Sequence, residues 1–138
     1  MATKNKDEEA RELLFKLKYL ENQMAAVQGQ LSVLDRGLLE IASTKTALGS
    51  LKKITKESSS LLPLGSGIFA KGMLLKQDKV LMDVGGGAIV EKDIMQAEEV
   101  LSSREKDIQN NLTNYQQALV TLEKQYNELA DKARSLNG

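Results

Sequence analysis

The sequence predicts an α+β fold in which two long helices form an antiparallel coiled-coil hairpin, with a four-stranded β insert between them. Three observations lead to this fold class. Apolar residues recur at alternating steps of three and four near the start of the chain, the same repeat returns near its end, and a glycine-punctuated run of strand-forming residues lies between. We expect one domain over residues 1–138, with helices at 5–57 and 94–136 and the insert at 61–92.

The first helix carries a regular apolar seam. Its a and d positions alternate without interruption from Ala10 to Ile41 and are broken at Lys45. Gly29 and Gly37 lie outside the seam, and each costs roughly 1 kcal/mol of helix stability relative to alanine. We therefore expect this helix to depend on a partner helix. The seam residues are Ala10, Leu13, Leu17, Leu20, Met24, Val27, Leu31, Leu34, Leu38 and Ile41.

The second helix repeats the pattern and begins with a recognisable cap. Asp93 is the expected N-cap, and Gln96 follows three residues later to complete a capping box. Polar residues interrupt the seams at Lys45, Glu98 and Glu105, and we expect them to set the register at some cost in stability. The seam residues of this helix are Ile108, Leu112, Tyr115, Leu119, Leu122, Tyr126, Leu129, Ala133 and Leu136.

The two seams are of similar length, which favours an antiparallel pair with flush ends. This alignment places Leu17 opposite Leu129, and every a position then meets a d position. It also places Glu21 near Glu123, which is unfavourable, so a shift of one heptad remains open. A small basic cluster at Lys52, Lys53 and Lys56 is best explained as a solvated face that complements the helix C-terminus.

The insert is predicted to form four strands in two hairpins. The strands lie at 61–64, 68–75, 79–84 and 88–91, with tight glycine turns at 65–67 and 85–87. The strands are apolar on both faces, which a pair of small hairpins cannot bury alone, so we expect an obligate oligomer assembled through them. The expected assembly residues are Leu62, Leu64, Ile68, Phe69, Met73, Leu74, Val80, Met82, Val84, Ile89 and Val90.

Composition excludes several classes of function. Lysine plus arginine and aspartate plus glutamate number 19 each, so no net charge favours nucleic acid or an anionic membrane. The chain has no cysteine and no histidine, which removes the commonest nucleophiles, general bases and metal ligands. Gly67 and Gly72 have the spacing of a phosphate loop, but Met73 follows instead of lysine. We expect a cytoplasmic protein that is not an enzyme and uses no cofactor or metal.

The insert carries the most specific motif of the chain. The segments "LLPLGSGIFAKGMLL" and "KVLMDVGGGAIVEKD", set between two coiled-coil arms, resemble the alpha-class subunit of archaeal prefoldin. This resemblance implies that two alpha and four beta subunits join their hairpins into a β-barrel from which the coiled coils project. It also implies that the coiled-coil tips hold unfolded proteins and deliver them to a group II chaperonin without ATP.

The ends of the two helices are the expected client-binding tips. Phe15 and Tyr19 lie outside the seam, at positions that are solvated in most coiled coils. Taken in isolation, Leu13 and Leu17 are better explained as seam residues, and they would reach a client when the helix ends fray. Two alternatives remain open: a structural protein that self-associates through its strands into homo-oligomers or filaments, and an adaptor that tethers folded partners. The expected client-binding residues are Leu13, Leu14, Phe15, Leu17, Tyr19, Ala133 and Leu136.

Overall fold

The computed structural model describes residues 5–137, so residues 1–4 and 138 of the predicted domain lie outside the described residues. It confirms the predicted fold class: two long helices form a hairpin, and two β-hairpins lie between them in the chain. None of the helices in this described part of the chain is long and apolar enough to span a membrane. The elements are α1 (Lys6–Lys52), β1 (Ser58–Gly65), β2 (Ile68–Leu74), β3 (Lys79–Asp83), β4 (Ile89–Asp93) and α2 (Ile94–Asn137).

Contacts divide the chain into two compact units, each of which contains part of both helices. One unit, called here the terminal unit, ends at Gly37 and resumes at Asp107. The other, called the strand unit, comprises Leu38–Lys106 and includes all four strands.

The start of α1 is fixed by Asn5, whose side-chain Oδ1 accepts a hydrogen bond from the backbone N–H of Asp7 at 3.2 Å. Three acidic residues at positions 7–9 then occupy the positive end of the helix dipole. The end of α1 differs from the prediction, because the helix stops at Lys52 rather than at residue 57. The helix ends in two hydrogen bonds of 3₁₀ spacing. The N–H of Lys53 donates to Ser50 O, and the N–H of Ile54 donates to Leu51 O.

The first strand begins earlier than predicted. Ser58–Ser60 were expected to end the helical region, but they belong to β1, where they pair with residues 74, 73 and 72 of β2. Cross-strand pairing has overridden the weak strand propensity of serine. The predicted cap of α2 is confirmed in part, since the N–H of Asp93 donates to the side-chain oxygen of Gln96 at 3.1 Å.

The seams of both helices lie at their interface. Every apolar a and d position named above is buried or half-buried, whereas the positions between them are mostly exposed. The most buried residues include two in the terminal unit and five in the strand unit. They are Leu13, Leu20, Ile41, Leu48, Ile94, Ala97 and Leu101.

The polar interruptions of the seam form ion pairs in the strand unit. Lys45 Nζ lies 3.4 Å from Glu105 Oε2, and both side chains are only partly exposed. Lys52 forms a similar pair with Glu98; Lys52 lies one heptad after Lys45 in α1, and Glu98 lies one heptad before Glu105 in α2. The Lys52 side chain is still 46% exposed and lies in the last turn of α1, where it complements the helix C-terminus as predicted, but its ion pair with Glu98 was not predicted.

In the terminal unit, two contacts fix the alignment of the helices. The Tyr126 hydroxyl donates a hydrogen bond to Glu21 Oε1 at 3.0 Å, and a Cβ at Gly37 would lie 3.3 Å from Ile108 Cδ1. These contacts agree with flush ends and exclude a shift by a whole heptad in this unit. The predicted conflict at Glu21 is offset, because its carboxylate accepts a hydrogen bond from the Tyr126 hydroxyl.

The four strands form two separate antiparallel two-stranded sheets, β1–β2 and β3–β4. Both connecting turns use backbone conformations that favour glycine. Gly85, Gly86 and Gly87 have φ of 117°, 61° and 78°, and the N–H of Val84 donates across the turn to Ala88 O at 2.9 Å. Gly65, Gly67 and Gly85–Gly87 thus serve as turn residues, whereas Gly72, the second glycine of the phosphate-loop spacing, lies within β2 and pairs with Ser60.

Candidate functional site

The hairpin β1–β2 presents apolar side chains on both faces. Residues directly opposite one another in an antiparallel pair share a face, so Leu62 shares one face with Ala70, and Pro63 shares the other with Phe69. Leu62 and Phe69 are both more than half exposed. No single layer of covering residues could bury both faces of this hairpin.

The hairpin β3–β4 has the same property. Val80 and Met82 point to one face and are half-buried, whereas Leu81 points to the other and remains 75% exposed. Ile89, opposite Asp83, lies on the same face as Leu81 and is also exposed. Each strand is moreover an edge strand, with one row of backbone N–H and C=O groups unpaired within its sheet.

We call these side chains the strand surface. Of the residues predicted for assembly, Leu74, Val80 and Met82 are half-buried and the others are exposed. Three further exposed residues belong to the same surface but were absent from the predicted set: Leu61, Leu75 and Leu81. Strict alternation along the strands would have found Leu81, because it lies between two residues that share the opposite face.

The second candidate surface lies near the outer ends of the two helix sequences, within the terminal unit. We call it the terminal surface. Leu14 and Phe15 are 67% and 76% exposed, and Tyr19 is 58% exposed one helical turn after Phe15. The other predicted client-binding residues lie in the seam: Leu13 is buried, while Leu17, Ala133 and Leu136 are half-buried.

A groove runs beside Tyr19 between the two helices of the terminal unit. Its volume is about 460 Å³, in the range of sites that take a side chain or a small ligand. Seam residues Leu20 and Leu129 form its floor, and Tyr19 forms one wall. The polar residues that line it are Lys16, Gln125, Glu128 and Lys132. The sequence analysis did not find this groove, because heptad spacing gives no sign of a gap between side chains.

Comparison with known proteins gives consistent matches. The family model described as "Prefoldin subunit" matches residues 20–138. The chain is similar to a prefoldin subunit alpha from Pyrococcus horikoshii, at 32% identity over 137 residues that cover 99% of this chain and 91% of the relative. It is also similar to a prefoldin subunit alpha from Methanoregula boonei, at 30% identity over 90% of this chain and 80% of the relative.

A solved structure shares the same fold. A filamentous PFD from Methanocaldococcus jannaschii, determined by cryo-EM, superposes with a TM-score of 0.73. The match covers 88% of this chain and 98% of that chain at 20% sequence identity, so the likeness concerns the fold alone.

Proposed function

The chain belongs to the alpha class of the prefoldin subunit family and has a chaperone role; from this premise, we propose that it captures unfolded polypeptides at its terminal surface and passes them to a group II chaperonin without ATP. Subunits of this family are non-enzymatic chaperones, which agrees with the prediction that the chain is not an enzyme. We propose the cytoplasm as its location.

The strand surface supports assembly with beta-class prefoldin subunits, with two alpha and four beta subunits joined in a β-barrel. Unpaired strand edges and apolar side chains on both faces of each hairpin need another chain to cover them. Full burial of one leucine- or phenylalanine-sized side chain stabilises by roughly 1.5–3 kcal/mol. Burial of several exposed residues of this surface would therefore stabilise an assembly, against the entropic cost of association.

The single observation that carries the capture proposal is the exposure of Phe15. An outward phenylalanine next to Leu14 and one turn from Tyr19 gives a small apolar patch on an otherwise polar helix face. Such a patch binds an unfolded chain weakly. Several tips in one assembly would add their weak contacts through effective concentration, so that no single tip has to bind tightly.

The test is a light-scattering assay of a chemically unfolded client, with this chain assembled with a beta-class subunit. We expect the assembly to slow aggregation, the Phe15→Ser assembly to slow it several-fold less, and a truncation lacking residues 1–19 and 127–138 to be inactive. Val120→Ser is the matched control, because Val120 is an apolar residue of α2 in the terminal unit that is 65% exposed and lies outside the terminal surface.

The strand surface also favours a second candidate function, in which the chain associates with copies of itself into homo-oligomers or filaments without serving clients. The structural relative from Methanocaldococcus jannaschii is itself described as filamentous. Sizing the purified chain alone and with a beta-class subunit separates the two. Large self-assemblies that do not change on adding the beta-class subunit, and that never slow aggregation, would favour the structural function.

A further inference from the structure

The groove beside Tyr19 combines an apolar floor with two lysines. Lys16 and Lys132 both occupy g positions of the heptad, and the g positions of two antiparallel helices lie on the same side of the seam. In many coiled coils, g positions carry opposite charges that pair across the seam. Here the two charges have the same sign, which is unfavourable for the helix pair on its own.

Neither ammonium group has a carboxylate partner within the described part of the chain. Ion pairs between described residues lie elsewhere, at Lys45, Lys52 and Arg134. Glu128 lines the same groove, at a c position further from the seam, and is not paired with either lysine. The charged groups of the groove therefore leave it with one excess positive charge.

We propose that this groove binds an apolar client side chain that is flanked by an acidic residue in an unfolded segment. The apolar side chain would lie against Leu20, Leu129 and the ring of Tyr19, and the carboxylate would lie between the two lysines. A charge-assisted contact to an ammonium group is stronger than a neutral hydrogen bond. The bound carboxylate also offsets the repulsion between Lys16 and Lys132.

This inference rests on the proposed capture function and adds a preference to it. Apolar contact alone would make the terminal surface indifferent to the charge of a client. The groove instead favours apolar residues next to aspartate or glutamate over the same residues next to lysine. Because the lysines are at the protein surface, the preference is modest and decreases with ionic strength.

The test measures binding of three fluorescent unfolded peptides to the assembly of this chain with a beta-class subunit. Each peptide has one phenylalanine, flanked by aspartates, asparagines or lysines. We expect the aspartate peptide to bind about fivefold more tightly than the asparagine peptide, and the lysine peptide to bind more weakly than both. The beta-class subunits contribute the same background in every comparison, so variants of this chain isolate the groove.

If the groove is the site, we expect three variants to have three different effects on the ratio between the aspartate and asparagine peptides. Lys16→Gln combined with Lys132→Gln brings the ratio between the aspartate and asparagine peptides to about one, whereas Glu128→Gln increases it. Lys106→Gln, at an exposed lysine of the strand unit, leaves the ratio unchanged. These substitutions are at the surface and preserve the seam, so we expect each variant to fold and assemble normally. The size and the thermal midpoint of each assembly check this.

Three results would overturn the inference. Equal binding of the aspartate and asparagine peptides by an assembly that still slows client aggregation would reject the groove and keep the capture function. The same rejection follows if the preference survives in the double lysine variant. If no peptide binds and aggregation is not slowed, both the capture function and the groove are rejected together.

Discussion

The strand surface and the terminal surface are both apolar and exposed, but they differ in how many apolar side chains and unpaired backbone groups they expose. The strand surface has apolar side chains on both faces of two hairpins, together with unpaired strand edges. The terminal surface has three exposed side chains beside a seam whose own residues are covered. A surface of the first kind needs a permanent partner, whereas a patch of the second kind can remain exposed between weak encounters. Under the proposed function, exposed apolar area serves assembly at the strand surface and client capture at the terminal surface.

The helix pair also differs between the two units. In the strand unit it includes five of the most buried residues and two ion pairs, Lys45–Glu105 and Lys52–Glu98. In the terminal unit it has two such buried residues and the hydrogen bond from Tyr126 to Glu21. Residues 22–34 of α1 and 108–122 of α2 carry no charge, so the seam carries most of the stability there. Among the described residues, the helix pair of the terminal unit thus has fewer buried residues than the helix pair of the strand unit.

The largest effect is expected from charge on the strand surface. Leu81→Asp combined with Ile89→Asp replaces the two exposed apolar residues on one face of β3–β4 by carboxylates, directly opposite Glu91 and Asp83, and a partner would have to bury this added charge. We expect complete loss of assembly with the beta-class subunit, measured by light scattering coupled to size exclusion. Leu39→Asp is the control, because Leu39 is 71% exposed in the same unit but lies on α1. Normal assembly of the double variant would show that this face of β3–β4 is not needed for assembly, and would contradict the difference drawn between the two surfaces.

The next effect concerns the ion pairs of the strand unit. Lys45→Leu alone should lower stability by about 1 kcal/mol, because it leaves the partly buried Glu105 carboxylate without its partner. Lys45→Leu combined with Glu105→Leu should restore or exceed the original stability, since apolar residues of similar volume replace the pair. The thermal midpoint of each assembly measures this. A rise in midpoint for the single variant would contradict the pairing.

A smaller effect is expected from the glycines of the terminal unit. Gly29→Ala should raise stability by about 0.5–1 kcal/mol, because a Cβ at that position meets no atom within 4 Å and alanine favours the helix. Gly37→Ala should gain less, because its Cβ would lie 3.3 Å from Ile108 Cδ1. Urea unfolding of the two variants in parallel gives the comparison. An equal gain at both positions would count against the alignment of Gly37 with Ile108.

The smallest effect is the pH dependence of Tyr126. The hydrogen bond to Glu21, the negative charge of Glu21 and slight desolvation raise the pKa of Tyr126 above its ordinary value of 10.0. The neutral phenol is the form that the fold favours, so its contribution is present below pH 10 and is lost as the pH rises through the folded-state pKa. NMR titration of the tyrosine Cζ carbons should show this pKa falling towards 10 in Glu21→Gln. An unchanged pKa would show that Glu21 is not its cause.

Much of the fold could be predicted from the sequence because the heptads and the glycine turns are local signals. The end of α1 could not, since no glycine or proline marks Lys52 and the strand character of Ser58–Ser60 depends on their pairing with β2. The pair Lys52–Glu98 was missed although both residues continue the heptad, because three nearby lysines resembled a solvated cluster.

The exposed residues of both surfaces were largely identified from the sequence, since an apolar residue off the seam stands out. The groove beside Tyr19 was not, because its shape depends on how the side chains of both helices pack around Leu20 and Leu129. The hydrogen bond from Tyr126 was missed for a similar reason. Its phenol extends past the seam to Glu21, a residue for which sequence spacing suggested only repulsion.

Site-specific photo-crosslinking tests most directly whether the strand surface contacts a beta-class subunit and the terminal surface contacts a client. A photoreactive phenylalanine analogue is placed at Phe15, at Leu81 or, as a control, at the exposed polar residue Gln109. The assembly with a beta-class subunit is then irradiated with and without an unfolded client. We predict that position 15 crosslinks to the client, that position 81 crosslinks to the beta-class subunit, and that position 109 crosslinks to neither. Client crosslinks at position 81 with none at position 15 would contradict the account.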